Sequence, residues 1–255
     1  TERAVSLLGP SVSNSLALSF GLTASATPSS PMSAHYVNCW RQSIIQSTAA
    51  TVIAERVAPN CVDDFSFCGL LLDVGRLALL SVFEDDYRPV LEAKQRGNLS
   101  LPQVEQEWLG INHAEVGARL MEHWKLPTAV IDAVQWHHAP LGRLEELRQH
   151  IDFPILSAMA VAACAGDVLT GTGNDTARER LDRLARSLLY WKPEETADFL
   201  QQTELSWQQH APLLQIDESE APANLMMQAN EQLVRLTLRA HVACTQATLR
   251  QQLAE

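Results

Sequence analysis

In the run Gly69-Leu70-Leu71-Leu72-Asp73-Val74-Gly75-Arg76-Leu77-Ala78-Leu79-Leu80 a single carboxylate stands among apolar side chains. Between Phe65 and Phe83 the only charges are Asp73 and Arg76, so the segment reads as one helix, apolar on nearly every face and deep in a core. An unpaired ionised carboxylate in that setting is strongly destabilising, or it takes up a proton. Asp73 therefore needs a metal, a histidine, an arginine or a set of backbone donors. Arg76 lies within helical reach of it. Imidazoles are available downstream, in Asn112-His113-Ala114-Glu115-Val116-Gly117 and Trp136-His137-His138. One carboxylate with several imidazoles is a donor set for a divalent transition ion. It is equally the make-up of a buried hydrogen-bonded cluster that holds no ion.

The elements that must position these groups are helical almost throughout. From Val37 to Val57, Trp40, Ile44, Ile45, Thr48, Ala49 and Val52 recur at three- and four-residue spacing. Asp63-Asp64 opens the oily helix, as acids at a helix N-terminus should. Tyr87 to Arg96 makes a further helix, stopped at Gly97-Asn98, and Ser100-Leu101-Pro102-Gln103 restarts one with a serine cap and a proline in the first turn. Asn112 and Glu115 have the spacing of a capping box, opening a helix that runs to Lys125. Pro127 begins the helix that carries Val130, Ala133, Val134 and the histidine pair. Pro154 to Leu169 is apolar and alanine-rich, Asp175 caps a charged helix to Tyr190, and Pro193 opens another to about His210. No period-two run and no Asn-Gly hairpin signal is present. The expected fold class is all-α.

Composition narrows the partners. Hydrophobic residues make up 46% of the 255 residues and charged ones 19%, the balance of a folded soluble protein. A net charge of −11, with no basic run, argues against nucleic acid and against anionic membrane surfaces. Cys39, Cys61, Cys68, Cys164 and Cys244 share no metal-ligand or redox spacing, so reduced cytosolic thiols are expected. Ser15 to Ala26 lacks the charged flank and continuous apolar stretch of a signal peptide. Phe65–Phe83 could cross a bilayer by length, but its Asp, Arg and two glycines favour a buried core helix. The chain has no initiator methionine and begins inside a helical-looking stretch, Arg3 to Leu8, so it reads as a piece of something longer.

The tail has a different pattern. Met226, Ala229, Leu233, Leu236, Ala240, Ala243 and Ala247 alternate three- and four-residue steps, a two-position heptad seam. Asp217 to Ala223 reads as a linker before it. Two readings stay open: a helix packed back on the bundle, or a protruding or dimerising signalling helix centred on Leu233 and Leu236 that leads to another domain. The expected division is 1–215 for the bundle and 216–255 for linker and heptad helix.

Trp40-Arg41-Gln42-Ser43, Gly69 to Gly75, Asn112 to Ala118, Trp124-Lys125-Leu126-Pro127 and Trp136-His137-His138 fall in the order and spacing of the HDOD domain, and the chain resembles that family over about residues 2 to 200. The resemblance implies a bundle of roughly ten or more helices, HD-like in fold, of the output type used in bacterial signalling proteins. It implies kinship with the HD phosphohydrolases and the HD-GYP phosphodiesterases.

The departures from the HD pattern decide the functional expectation. The HD metal is held by a first histidine, a His-Asp doublet and a later aspartate. Here those positions hold Gln42, Leu72-Asp73 and Asp167. An alkyl side chain cannot ligate, and a hydrolytic metal needs several imidazole or anionic ligands in fixed geometry. That primary site is expected to be dead. Asp73, His113 and one of His137 and His138 match positions that serve a second metal in the HD-GYP relatives, but the Gly-Tyr-Pro motif is absent. The expectation is a vestigial polar cluster of Gln42, Leu72, Asp73, His113, His137, His138 and Asp167 with no cofactor, a metal remnant at Asp73, His113 and His137 being the minority reading. No nucleophile elbow, Walker loop or dinucleotide fingerprint offers another chemistry.

The expected function is thus a non-catalytic, cytoplasmic signal-transduction module. It would act on other signalling domains or proteins, such as a receiver or diguanylate cyclase module in the same chain, with homodimerisation open. The alternatives are a residual metal-dependent nucleotide or cyclic dinucleotide phosphohydrolase, and a nucleotide-binding sensor without turnover.

Overall fold

The computed structural model describes residues 32–173 and 176–210. Asp175, the linker, the heptad seam with Leu233 and Leu236, and Cys244 lie outside the described residues. So do Arg3 to Leu8 and Ser15 to Ala26. Among the described residues every regular element is a helix.

The first helix, α1 (Ser33–Val57), starts four residues ahead of the predicted Val37. A short 3₁₀ turn at Pro59–Cys61 leads into α2 (Val62–Leu71), with Asp63 and Asp64 in its first turn as its dipole favours. The oily segment is not one helix. It breaks after Leu71, and α3 (Val74–Val82) starts afresh with Asp73 as its N-cap residue. Two glycines on either side of the break let the pair of helices sit against backbone. At Gly69 a Cβ would come within 2.8 Å of Gln46 O and Ser47 Cα on α1. At Gly75 it would come within 2.0 Å of the carbonyl oxygen of His113. Side-chain periodicity carries no trace of such backbone contacts, which is why the elbow is not visible in the apolar pattern.

The next helix, α4 (Glu84–Arg96), begins three residues before the predicted Tyr87, with three acids in its first turn and Pro89 within it. In α5 (Leu101–Leu109) the predicted Ser100 cap is present, the Ser100 amide donating to Gln103 Oε1 at 2.9 Å. Helix α6 (His113–His123) is capped by Asn112, whose side-chain oxygen accepts from the Glu115 amide at 3.1 Å. The other half of the expected box differs: Glu115 Oε1 accepts from the Asn112 side-chain amide and not from its backbone. Helix α6 ends two residues before the predicted Lys125, which takes a φ of 57° in the turn.

After Pro127, α7 (Thr128–Trp136) stops one residue short of His137, so the histidine pair lies on the turn that follows and not on the helix. Then come α8 (Leu141–Glu146), a 3₁₀ turn at Leu147–Gln149, α9 (Phe153–Thr170), α10 (Ala177–Leu188) and α11 (Pro193–His210). Helix α10 begins after Thr176 and ends before Tyr190, whose φ of 59° cannot continue a helix.

The long α1 packs along α2, α9 and α11, while α6 packs on α7 and α3. Two apolar clusters result. The larger draws on the C-terminal half of α1, on α2, and on α7, α9, α10 and α11, and takes in Leu72. The smaller joins Met32, Tyr36, Cys39 and Trp40 to Leu77, Leu79, Leu80, Tyr87, Val90, Leu91 and Val104. Along α1, and again across the α2–α3 elbow, the switch between clusters falls at polar residues: Gln42, Ser43 and Gln46 on one, Asp73 and Arg76 on the other. A polar seam thus runs between two oily halves.

Among the described residues, two apolar segments have the length to cross a membrane, Pro59–Val82 and Phe153–Thr170, and most of each lies buried inside the bundle. Cys39, Cys68 and Cys164 are buried and unpaired, while Cys61 is exposed. Burial pushes the Cys39 and Cys164 thiols up to about 12, which leaves them without thiolate character.

Candidate functional site

The two oxygens of the Asp73 carboxylate face different ways. Oδ2 accepts from Arg76 Nη1 and from Gln46 Nε2, each at 3.2 Å. The same Arg76 Nη1 donates to Gln42 Oε1 at 2.8 Å, and Gln42 Nε2 donates to Asp167 Oδ1 at 2.8 Å. A chain Asp73–Arg76–Gln42–Asp167 therefore ties the α2–α3 elbow to α1 and α9. Asp73 is fully buried and Arg76 8% exposed, so this is a buried charge pair with fixed hydrogen bonds.

Oδ1 faces imidazoles. His113 Nε2 stands 3.3 Å from it and His137 Nε2 3.8 Å. No hydrogen bond of acceptable geometry forms at Asp73 Oδ1, His113 Nε2 or His137 Nε2, although all three atoms are buried. The far side of each ring is satisfied. His113 Nδ1 meets Glu105 Oε2 at 2.6 Å, and His137 Nδ1 meets the carbonyl of Val134 at 2.6 Å. A carbonyl can only accept, so His137 carries its proton on Nδ1 and, as neutral imidazole, turns a bare lone pair toward Asp73. The partly buried His138 completes the group: the four residues each bring one ligand atom within 4.8 Å of the others.

Glu105, like Gln46, is a member that sequence reasoning missed. It lies wholly buried on α5, accepts the Tyr87 hydroxyl on Oε1, and on Oε2 takes both the ring and the backbone amide of His113. A signal for it existed: Leu101, Glu105 and Leu109 recur every four residues, which puts Glu105 on the apolar face of its helix.

Electrostatics follow from this packing. Burial opposes the ionised form of Asp73, but Arg76, then His113, outweigh it and hold the carboxyl well below the usual range. Burial likewise opposes ionisation of Glu105, and His113 brings it below the usual value. Burial opposes the imidazolium of His113, yet Glu105 and Asp73 raise it to about 9. Burial pushes His137 below the usual imidazole range and His138 well below it. Asp167, desolvated and facing Asp73, is raised to about 6.

Two metal positions can be tested against these donors. At Gln42, Leu72, Asp73 and Asp167 the residues do not fit an ion. Leu72 has no donor and packs wholly in the larger apolar cluster, and the Arg76 guanidinium already bridges Gln42 to Asp73. At Asp73 Oδ1, His113, His137 and His138 they do fit, because Asp73 Oδ1, His113 Nε2 and His137 Nε2 converge there, buried and without hydrogen-bond partners.

The fold is that of an all-helical, HD-like bundle. The HDOD domain model matches residues 1–140, and the chain belongs to the HDOD domain family, HD-related modules of bacterial signalling proteins. An uncharacterised protein of Treponema pallidum (strain Nichols) is 26% identical over 124 residues, 48% of this chain and 23% of that protein. The chain thus matches about a quarter of the length of this relative. Among solved structures it is similar to the MmoQ response regulator of Methylococcus capsulatus (26% identity, TM-score 0.45), with 65% of this chain and 60% of that one covered. A fragment of the same regulator matches at 24% identity and TM-score 0.43, over 57% and 56% of the two chains.

Proposed function

We propose that this HDOD domain is a non-catalytic, cytoplasmic signalling module that acts on another domain or protein through its packing. The observation that carries the reading is Arg76, whose guanidinium lies between Gln42 Oε1 and Asp73 Oδ2, at residues where an HD hydrolase would bind its metal. A side-chain cation neutralises the carboxylate as a metal would, but it cannot lower the pKa of a bound water to make a nucleophile. Leu72 removes a further ligand, so the two-metal arrangement that clamps the attacking and leaving oxygens of a phosphodiester cannot form. What is left is a charged seam linking α1, the α2–α3 elbow, α5, α6 and α9. Partners of this module are other signalling domains, a receiver or diguanylate cyclase module among them, reached through the segment bearing Leu233 and Leu236.

The expected result is no turnover. Hydrolysis of a cyclic dinucleotide and of bis(p-nitrophenyl) phosphate, with Mn²⁺ or Fe²⁺ supplied, should match an Asp73→Asn control. Turnover that disappears in Asp73→Asn would overturn the reading in favour of a residual phosphohydrolase. A nucleotide that raises Tm without being hydrolysed would favour the sensor instead, since selective binding to the native state stabilises it by mass action. Solution mass with and without residues 224–255 tests the route of transmission: Leu236→Asp should abolish any association that the segment confers.

A further inference from the structure

We infer that Asp73 Oδ1, His113, His137 and His138 hold one divalent first-row transition ion as a closed, structural site. Its role is to pin the α2–α3 elbow to the starts of α6 and of the turn after α7.

The first ground is the orphaned atoms. Asp73 Oδ1, His113 Nε2 and His137 Nε2 are buried and face one another without hydrogen bonds, in a protein interior where such atoms are almost always satisfied. Two of them, Asp73 Oδ1 and His137 Nε2, are lone pairs 3.8 Å apart, an arrangement that repels unless a cation lies between them. The second ground is spacing. Donors at 2.0–2.1 Å from a tetrahedral ion stand about 3.3 Å from each other, and imidazole centres on one ion about 5 Å apart. Here Asp73 Oδ1 and His113 Nε2 are 3.3 Å apart. The ring centres of His113 lie 5.5 Å from His137 and 5.0 Å from His138, while those of the sequence neighbours His137 and His138 stand closer, at 4.1 Å.

The third ground is the outer shell. Ligating histidines donate their other ring nitrogen to a carboxylate or backbone carbonyl, which fixes the tautomer and aims the ring. Glu105 does this for His113 and Val134 O for His137. Glu105 is itself held by Tyr87 and by the His113 amide. Charge permits an ion: among their direct partners, buried Asp73 and Glu105 are balanced by Arg76 and by the His113 imidazolium, whose proton a bound ion would displace. The donor set selects the metal class. One carboxylate and three imidazoles suit Zn²⁺, Fe²⁺ or Co²⁺ rather than Mg²⁺ or Ca²⁺. Four protein ligands fill a tetrahedral ion, so no position stays open for water. Such an ion is compatible with a module that does not turn over substrate.

The test is metal content and spectroscopy on the full chain, not activity. Protein purified without chelator should contain about one transition ion per chain. After stripping, Co²⁺ alone should bind one to one with visible bands of a tetrahedral centre, and Zn²⁺ alone should raise Tm. His138→Gln, at the least buried ligand, should alter the Co²⁺ spectrum with the helical circular dichroism retained. Glu105→Gln should weaken Co²⁺ binding about 10–100-fold. Protein that is metal-free as purified and gives neither Co²⁺ bands nor a Zn²⁺-dependent Tm would overturn the site and show that a proton on His113 supplies the balancing charge. That outcome leaves the proposed signalling role standing. Turnover by the metal-loaded chain would instead overturn the signalling role and the closed coordination together, leaving only ion binding.

Discussion

Asp73→Ala should destabilise the protein by about 3–5 kcal/mol, the cost of breaking a buried ion pair from one side. The substitution leaves the Arg76 guanidinium desolvated with Gln42 Oε1 as its remaining side-chain acceptor, and leaves Gln46 Nε2 without the oxygen it donates to. Asp73→Asn keeps the volume and one oxygen but removes the charge, so it should cost less than Ala and still weaken the pair. Removing both charges is the informative case. Removing both charges together leaves neither one buried without its counterion, so Asp73→Asn combined with Arg76→Met should recover part of the loss shown by the single variants. Urea denaturation of the four proteins closes the cycle, with a coupling of about 0.5–3 kcal/mol as the general range for contacting residues. If the two single costs simply add, Asp73 and Arg76 are not the coupled pair that the geometry shows.

The sequence carried much of this arrangement, for identifiable reasons. A lone carboxylate in an apolar run has so few ways of being stable that the type and setting of Asp73 already point to its partners. Arg76 and the downstream imidazoles are the groups the fold brings to it. Asp167 joins the same seam indirectly, through Gln42 and Arg76. The all-α class was legible because caps, prolines and three-four periodicity are local signals. The break between Leu71 and Val74 was not, because nothing in the side-chain pattern marks it. It follows from helices approaching backbone to backbone at Gly69 and Gly75, which is a tertiary contact. Glu105 escaped notice because a charged residue in an amphipathic helix is ordinarily solvated. Only its register with Leu101 and Leu109 sets it apart. The division of the Asp73 oxygens, one toward Arg76 and one toward the histidines, depends on side-chain orientation across four helices, which no spacing rule encodes.

The second large effect is expected at a residue with no side chain. A Cβ at Gly75 would lie 2.0 Å from the carbonyl oxygen of His113, 2.9 Å from its carbonyl carbon and 2.7 Å from the amide nitrogen of Gly117. All three are backbone atoms, so no rotamer change relieves the contact, and α3 and α6 must move apart. Overpacking of this kind costs typically about 1–3 kcal/mol and sometimes more, and Gly75→Ala should fall at or above the top of that range. The consequence reaches the polar seam directly, because His113 is the first residue of α6 and Asp73 the cap of α3. Separating the helices draws His113 Nε2 away from Asp73 Oδ1 and loosens the grip of Glu105 on the ring. Gly142→Ala is the matched control: a Cβ there meets nothing within 4 Å. It lies in α8, where alanine is the better helix former, so the change should be neutral or slightly stabilising. Thermal or urea unfolding of the two variants decides the matter. Equal stabilities would mean that α3 and α6 do not meet at Gly75, and the placement of His113 beside Asp73 would fall with that contact.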